Sequence, residues 1–200
     1  MDDLHDWKMD KEKEQAIAAS MKEAREKARG YADFFGWAID RDCEELGVVY
    51  SLNESLEMSG GLAFADIQSR GRGNDPPDCE AVVSGQRVAI EITELVSGDA
   101  IRAYKAGLTY KWARWSKTSF QAAVSELIAR KNSRFPALQG APYTGGYVLV
   151  IFTDEPLLDR NTVADYLQDF ELRDSDNLTD IYFLISYDTE LERCPFFKLK

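Results

Sequence analysis

The chain has 200 residues, 44% of them hydrophobic and 30% charged, with a net charge of -11. That is enough chain for one domain with its own core, and as a whole it is too acidic for a general nucleic-acid binder. The longest apolar run, YVLVIF, falls far short of the roughly 20 residues of a membrane span, and the charged start MDDLHDWKMDKEKE is unlike a signal peptide.

The three cysteines have no paired spacing, so neither a disulfide framework nor a zinc site is expected, and a reducing, cytoplasmic setting fits. One histidine, His5, lies in the polar N-terminal tail. Ser-His-Asp, Cys-His and histidine-metal chemistries therefore lack their central residue. No GxxxxGK[ST] phosphate loop is present. Catalysis here has to use carboxylates, lysines and a metal.

Residues 10–29, rich in Lys, Glu, Ala and Met, predict a helix that ends near Gly30. A second, more apolar helix is expected from Tyr31 to Leu46, on the spacing of Phe34, Phe35, Ala38, Ile39, Asp42, Cys43 and Leu46. Residues 51–61, SLNESLEMSGG, read as a loop, and Leu62 to Ile67 as a short strand. The GRGNDPP segment follows as a turn-rich connection whose Arg70 and Arg72 are close enough in sequence to Asp78 to touch a phosphate.

Asp78 to Val83 and Gln86 to Leu95 both alternate apolar and polar residues around the turn signal Ser84-Gly85, which predicts a β-hairpin. With those two residues as the loop, Val83 faces Gln86 and Asp78 lies opposite Glu91. Opposed side chains in an antiparallel pair have Cβ atoms roughly 4.5–5.5 Å apart, so two carboxylates there call for a cation between them. A hard divalent ion, Mg²⁺ or Mn²⁺, suits carboxylate oxygens and water. Glu80 and Thr93 share that face, while Val88, Ile90 and Ile92 point into a core. The same alternation also describes a solvated polar face on an edge hairpin.

Residues 97–115 read as part loop and part helix. Thr118 to Lys131 is a clearer helix, with a Thr118-x-x-Gln121 capping box and Phe120, Val124, Leu127, Ile128 and Lys131 along one face. Lys131 continues an apolar stripe, where a charge requires a partner or a snorkelling stem. Tyr147 to Thr153 is a strand buried on both faces, Asp159 to Phe170 a helix, and Ile181 to Tyr187 a second buried strand. The expected architecture is α/β: a mixed sheet between helices. Residues 84–140 are the one net-basic segment, and Lys105, Lys111 and Arg114 there are interleaved with Tyr104, Tyr110, Trp112 and Trp115. Such a stretch contacts phosphates and stacks on bases, or its aromatics pack a core and its charges are solvated.

Pro77-Asp78, twelve intervening residues and then Glu91-Ile92-Thr93 on a hydrophobic strand resemble the core motif of the PD-(D/E)XK nuclease superfamily. Thr93 stands where the family motif has its lysine. The resemblance implies a single domain over residues 1–200 with a restriction-endonuclease-like αβββαβ core, residues 1–30 adding a peripheral N-terminal helix. It implies Mg²⁺- or Mn²⁺-dependent hydrolysis of DNA, with the metal held by Asp78, Glu91 and the Ile92 carbonyl, and Glu45 or Glu44 as a further acidic group from the preceding helix. Lys131, and after it Lys117, are its candidates for the displaced catalytic lysine, with Thr93 hydrogen-bonding nearby. The missing motif lysine and the acidic surface fit a second reading, an inactive nuclease-like protein that binds a basic protein partner or a second copy of itself.

Overall fold

A computed structural model of the chain describes residues 11–27, 30–36, 41–71, 73–108 and 112–200. In chain order the elements are α1 (Lys11–Lys27), α2 (Arg41–Met58), β1 (Ala65–Ser69), β2 (Cys79–Val83), β3 (Gln86–Glu94), α3 (Gly98–Lys105), α4 (Lys117–Asn132), β4 (Gly146–Thr153), α5 (Arg160–Leu167), β5 (Asp180–Ile185) and β6 (Phe196–Lys198). The six strands form one mixed sheet in that same order. β1, β2 and β3 are an antiparallel meander, β3, β4 and β5 run parallel, and β6 returns antiparallel to β5. The parallel steps require crossovers, which α3 and α4 supply before β4 and α5 before β5. No helix among the described residues is long and apolar enough to cross a membrane.

The period-2 alternation of β3 assigns its side chains to two cores. Val88, Ile90 and Ile92 pack with Val48, Val49, Leu52 and Leu56 of α2. Ala89 faces the other way, into a cluster with Phe120, Val124 and Ile128 of α4 and Val163 of α5. Glu91 and Thr93 share the parity of Ala89, so both acid and hydroxyl are turned toward α4.

The hairpin has the expected register: Val83 pairs with Gln86 and Cys79 with Ile90. Ser84 and Gly85 have φ of 50° and 77°, the double positive φ that a two-residue type I′ loop requires. β4 and β5 lie on the predicted runs.

The N-terminal half departs from expectation. Tyr31 to Gly36 is irregular, and the second helix runs over Arg41–Met58, through the segment that reads as a loop. Its Ser and Asn residues, which favour turns in isolation, are used here to tether the helix. Asn53 Oδ1 accepts the Phe64 N–H at 2.5 Å, and Ser55 Oγ donates to the Cys194 carbonyl at 2.7 Å. β1 starts later than Leu62, which is exposed. The α4 cap is Ser116 with Ser119 rather than Thr118 with Gln121, because Gln121 donates instead to the Tyr166 carbonyl and to Asp169. β6, of three residues, has no periodicity to read. The N-terminal helix falls on α1, whose described side chains are exposed.

Candidate functional site

Asp78 immediately precedes β2, and one step beyond the Cys79–Ile90 pair sets it across from Glu91. Beyond this point β3 continues to Glu94 without β2 beside it, leaving the Ile92 N–H without a strand partner on that side. Asp78 Oδ2 accepts that N–H at 2.7 Å. The approach to Asp78 is pinned from the far side of α4: Gln139 donates its backbone N–H to the Pro76 carbonyl at 2.8 Å and its amide to the Asp75 carbonyl at 3.0 Å. Asp78 is 2% exposed and Glu91 0%, a level of burial that carboxylates tolerate only with partners.

The partners come from the last turn of α4 and from the segment just past it. Lys131, itself 7% exposed, places Nζ 2.7 Å from Glu91 Oε1 and 3.5 Å from Asp78 Oδ2. It is a cationic bridge between the two acids. Arg134 Nη1 bonds the same Glu91 Oε1, and its Nη2 lies 3.4 Å from Asp75 Oδ2. The Tyr147 hydroxyl donates to the Lys131 carbonyl at 3.1 Å and fixes the end of the helix. From the opposite layer, Arg41 at the start of α2 sets Nε 2.6 Å from Glu45 Oε1 and Nη2 3.6 Å from Asp78 Oδ1. A cleft of about 200 Å³ opens here, lined by Arg41, Asp42, Glu45, Gly71, Gly73, Asp75 and Asp78.

Burial pushes the Glu91 carboxyl above its ordinary range and Asp78 adds to the shift, against the pull of Lys131 and Arg134. Burial, then the Asp78 charge, pushes Glu45 up to about 6, although Arg41 opposes both. The Tyr147 phenol is raised by burial and by Glu91.

Two carboxylate oxygens, Asp78 Oδ1 and Glu91 Oε2, are buried and accept no hydrogen bond from any described residue. Buried polar atoms are nearly always bonded, so these two oxygens have acceptor capacity left for water or an ion. One oxygen from each of two acids, completed by water, is a donor set that suits Mg²⁺, which binds through one or two carboxylates and keeps several waters. No group of three or more His, Cys, Asp or Glu among the described residues is arranged to hold a metal ion.

Asp78, Glu91, Ile92 and Lys131 therefore meet at one point, with Glu45 joined to it through Arg41. Thr93 is close by on the same face and accepts from Arg130 Nη2 at 3.2 Å. Lys117 is at the other end of α4, roughly 21 Å away along the helix, and pairs with Asp169 at 2.8 Å. Arg70 is committed to Glu80 at 3.2 Å. Lys105 and Arg114 are exposed on α3 and on the connection before α4, while Arg72 and Lys111 lie outside the described residues, as does His5.

Trp112 is exposed, Trp115 packs beside the α4 core, and Tyr110 lies outside the described residues. The residues that sequence reasoning missed are Arg41, Asp75, Arg134 and Tyr147. Of these, Arg41 carries a helix signal, because it stands four residues before Glu45 and shares a face of α2 with it, whereas Arg134 lies past the end of α4. No protein-family model, curated protein or solved structure matches the chain.

Proposed function

We propose that the protein is a metal-dependent nuclease of the PD-(D/E)XK type that hydrolyses phosphodiester bonds in DNA. The observation that carries the reading is Lys131 Nζ at 2.7 Å from Glu91 and 3.5 Å from Asp78. A lysine from the helix after the motif strand thus reaches the acidic pair that Thr93 cannot serve. The order α2-β1-β2-β3-α3-α4-β4 is compatible with an αβββαβ core that carries α3 as an additional helix before α4. Asp78 Oδ1 and Glu91 Oε2 would hold a Mg²⁺ or Mn²⁺ ion. When bound, such an ion polarises the phosphate and lowers the pKa of its water.

The chain's own groups do the remaining work. Asp78 and Glu91 are held rigidly, one by a backbone N–H and the other by two cations, so the pair needs little reorganisation. The Lys131 ammonium, a three-donor group with no acceptor, orients an oxygen nucleophile or a phosphate oxygen beside Glu91. Arg134, partly exposed and also near Asp75, adds positive charge on the approach to the pair. Thr93 positions Arg130.

A second reading rests on a specific observation: Glu91 Oε1 is already matched by both Lys131 and Arg134. A pair neutralised this way is stable without a metal, as in an inactive nuclease-like protein whose acidic surface binds a basic protein.

Cleavage of supercoiled plasmid and of a labelled single strand, with Mg²⁺ or Mn²⁺, separates the two. The nuclease reading expects metal-dependent cleavage that disappears in Asp78→Asn while the variant stays folded. Equal cleavage by both proteins would remove this site from the chemistry. No cleavage, with salt-sensitive binding to a basic protein, would establish the second reading.

A further inference from the structure

We infer that Arg41 is a displaceable counter-cation of the acidic site, competing with a divalent ion for Asp78 Oδ1 and Glu45; the inference rests on the metal reading above. Arg41 is the first residue of α2. The start of a helix carries partial positive charge and disfavours a cation. What draws the guanidinium to this end is the carboxylate pair beside it, Glu45 at 2.6 Å and Asp78 at 3.6 Å.

The two contacts differ in kind. The Glu45 contact is a charge-assisted hydrogen bond. The 3.6 Å approach to Asp78 Oδ1 is too long for one. Arg41 thus lowers the electrostatic cost of Asp78 without satisfying its buried oxygen, which accepts no hydrogen bond from any described residue.

The site's other close cations are held differently. Lys131 is buried, bonded at 2.7 Å and fixed by its own helix. Arg134 is anchored on Glu91 and Asp75. The Arg41 side chain is 61% exposed, lies on the cleft wall and can turn into solvent at little cost. A divalent ion approaching Asp78 from the cleft meets Arg41 first and repels it. Metal binding and release of Arg41 are then one exchange of cations on the same carboxylates, and Arg41 sets how tightly the metal binds.

Calorimetric titration of Mn²⁺ at about pH 8, well above the ordinary carboxylate range, tests this on wild type, Arg41→Gln, Arg41→Lys and Arg87→Gln. The exposed position of Arg41 makes folding of its variants a minor concern. Removing the competitor is expected to tighten Mn²⁺ binding roughly fivefold in Arg41→Gln. Arg41→Lys, which keeps the charge, should stay near wild type. Arg87→Gln removes a cation that serves Glu80 and should leave the affinity unchanged. Equal affinity in wild type and Arg41→Gln, weaker binding in Arg41→Gln, or an equal gain in Arg87→Gln would overturn the inference while leaving the metal reading intact. Absence of binding in every protein would remove the metal reading and this inference together.

Discussion

Glu80 and Glu91 belong to the same hairpin and the same sheet face, yet they are treated in opposite ways. Glu80 accepts from Arg87 at 2.8 Å, from Arg70 at 3.2 Å and from the Tyr143 hydroxyl at 3.2 Å. Burial alone would raise its carboxyl, but these partners outweigh it and the group sits below its ordinary range. Glu91 is buried more deeply, and it stays above its ordinary range although Lys131 and Arg134 bond it. It also keeps an unbonded buried oxygen, as does Asp78 beside it. A saturated, mostly covered carboxylate such as Glu80 fastens strands together. A carboxylate held by one oxygen while the other stays unbonded keeps acceptor capacity, which is what the proposed metal would use.

The largest effect that could break this contrast is at Lys131. Lys131→Met leaves Glu91 buried with Arg134 as its remaining cation, and the expected loss of stability is about 3–5 kcal/mol by urea unfolding at neutral pH. The loss should shrink toward acid pH, where Glu91 takes up a proton and needs no counter-charge. The double variant Glu91→Leu/Lys131→Leu should recover most of it, because the pair is replaced rather than broken. A small effect in the single variant would show that Glu91 is neutral in the folded protein.

Glu45 gives the next largest effect. Its folded-state value of about 6 lies above that of an unfolded carboxylate, so the folded protein binds its proton more tightly. The stability this contributes is fully present below about pH 4.5 and is lost as pH rises through about 6, by at most about 2 kcal/mol. Unfolding measured across that window should show the decline in wild type and a flatter profile in Glu45→Gln. An unchanged slope would mean that Glu45 ionises as freely folded as unfolded.

Glu80→Gln should cost about 1 kcal/mol or less, since its arginine partners are partly exposed and screened. Its sign is opposite to that of Glu45: the lowered carboxyl contributes stability above the unfolded value and loses it as pH falls below about 4.5. Mn²⁺ affinity should not change. Lys117→Ala, at the far end of α4, should alter neither melting temperature nor cleavage, and lost cleavage there would move the catalytic lysine away from Lys131.

The acidic pair is legible in the sequence because a hairpin of period 2 with a two-residue turn has a fixed register, which sets Asp78 against Glu91. Lys131 is legible because it continues the Phe120, Val124, Leu127, Ile128 stripe of α4. The cations that complete the site are not. Arg41 reaches Asp78 from a helix in the opposite layer, and α2 was itself misplaced because Ser51, Asn53 and Ser55 look like loop residues until their tertiary partners are known. Arg134 lies just beyond the helix end, where spacing ceases to constrain direction. Only long-range packing fixes these two.

The most direct measurement is calorimetric titration of Mn²⁺ into wild type and into Asp78→Ala/Glu91→Ala. Binding is expected in the wild type and its loss in the folded variant. The same binding heat in both proteins, or none in the wild type, would contradict the metal reading and leave Lys131 and Arg134 as the pair's permanent and sufficient counter-ions.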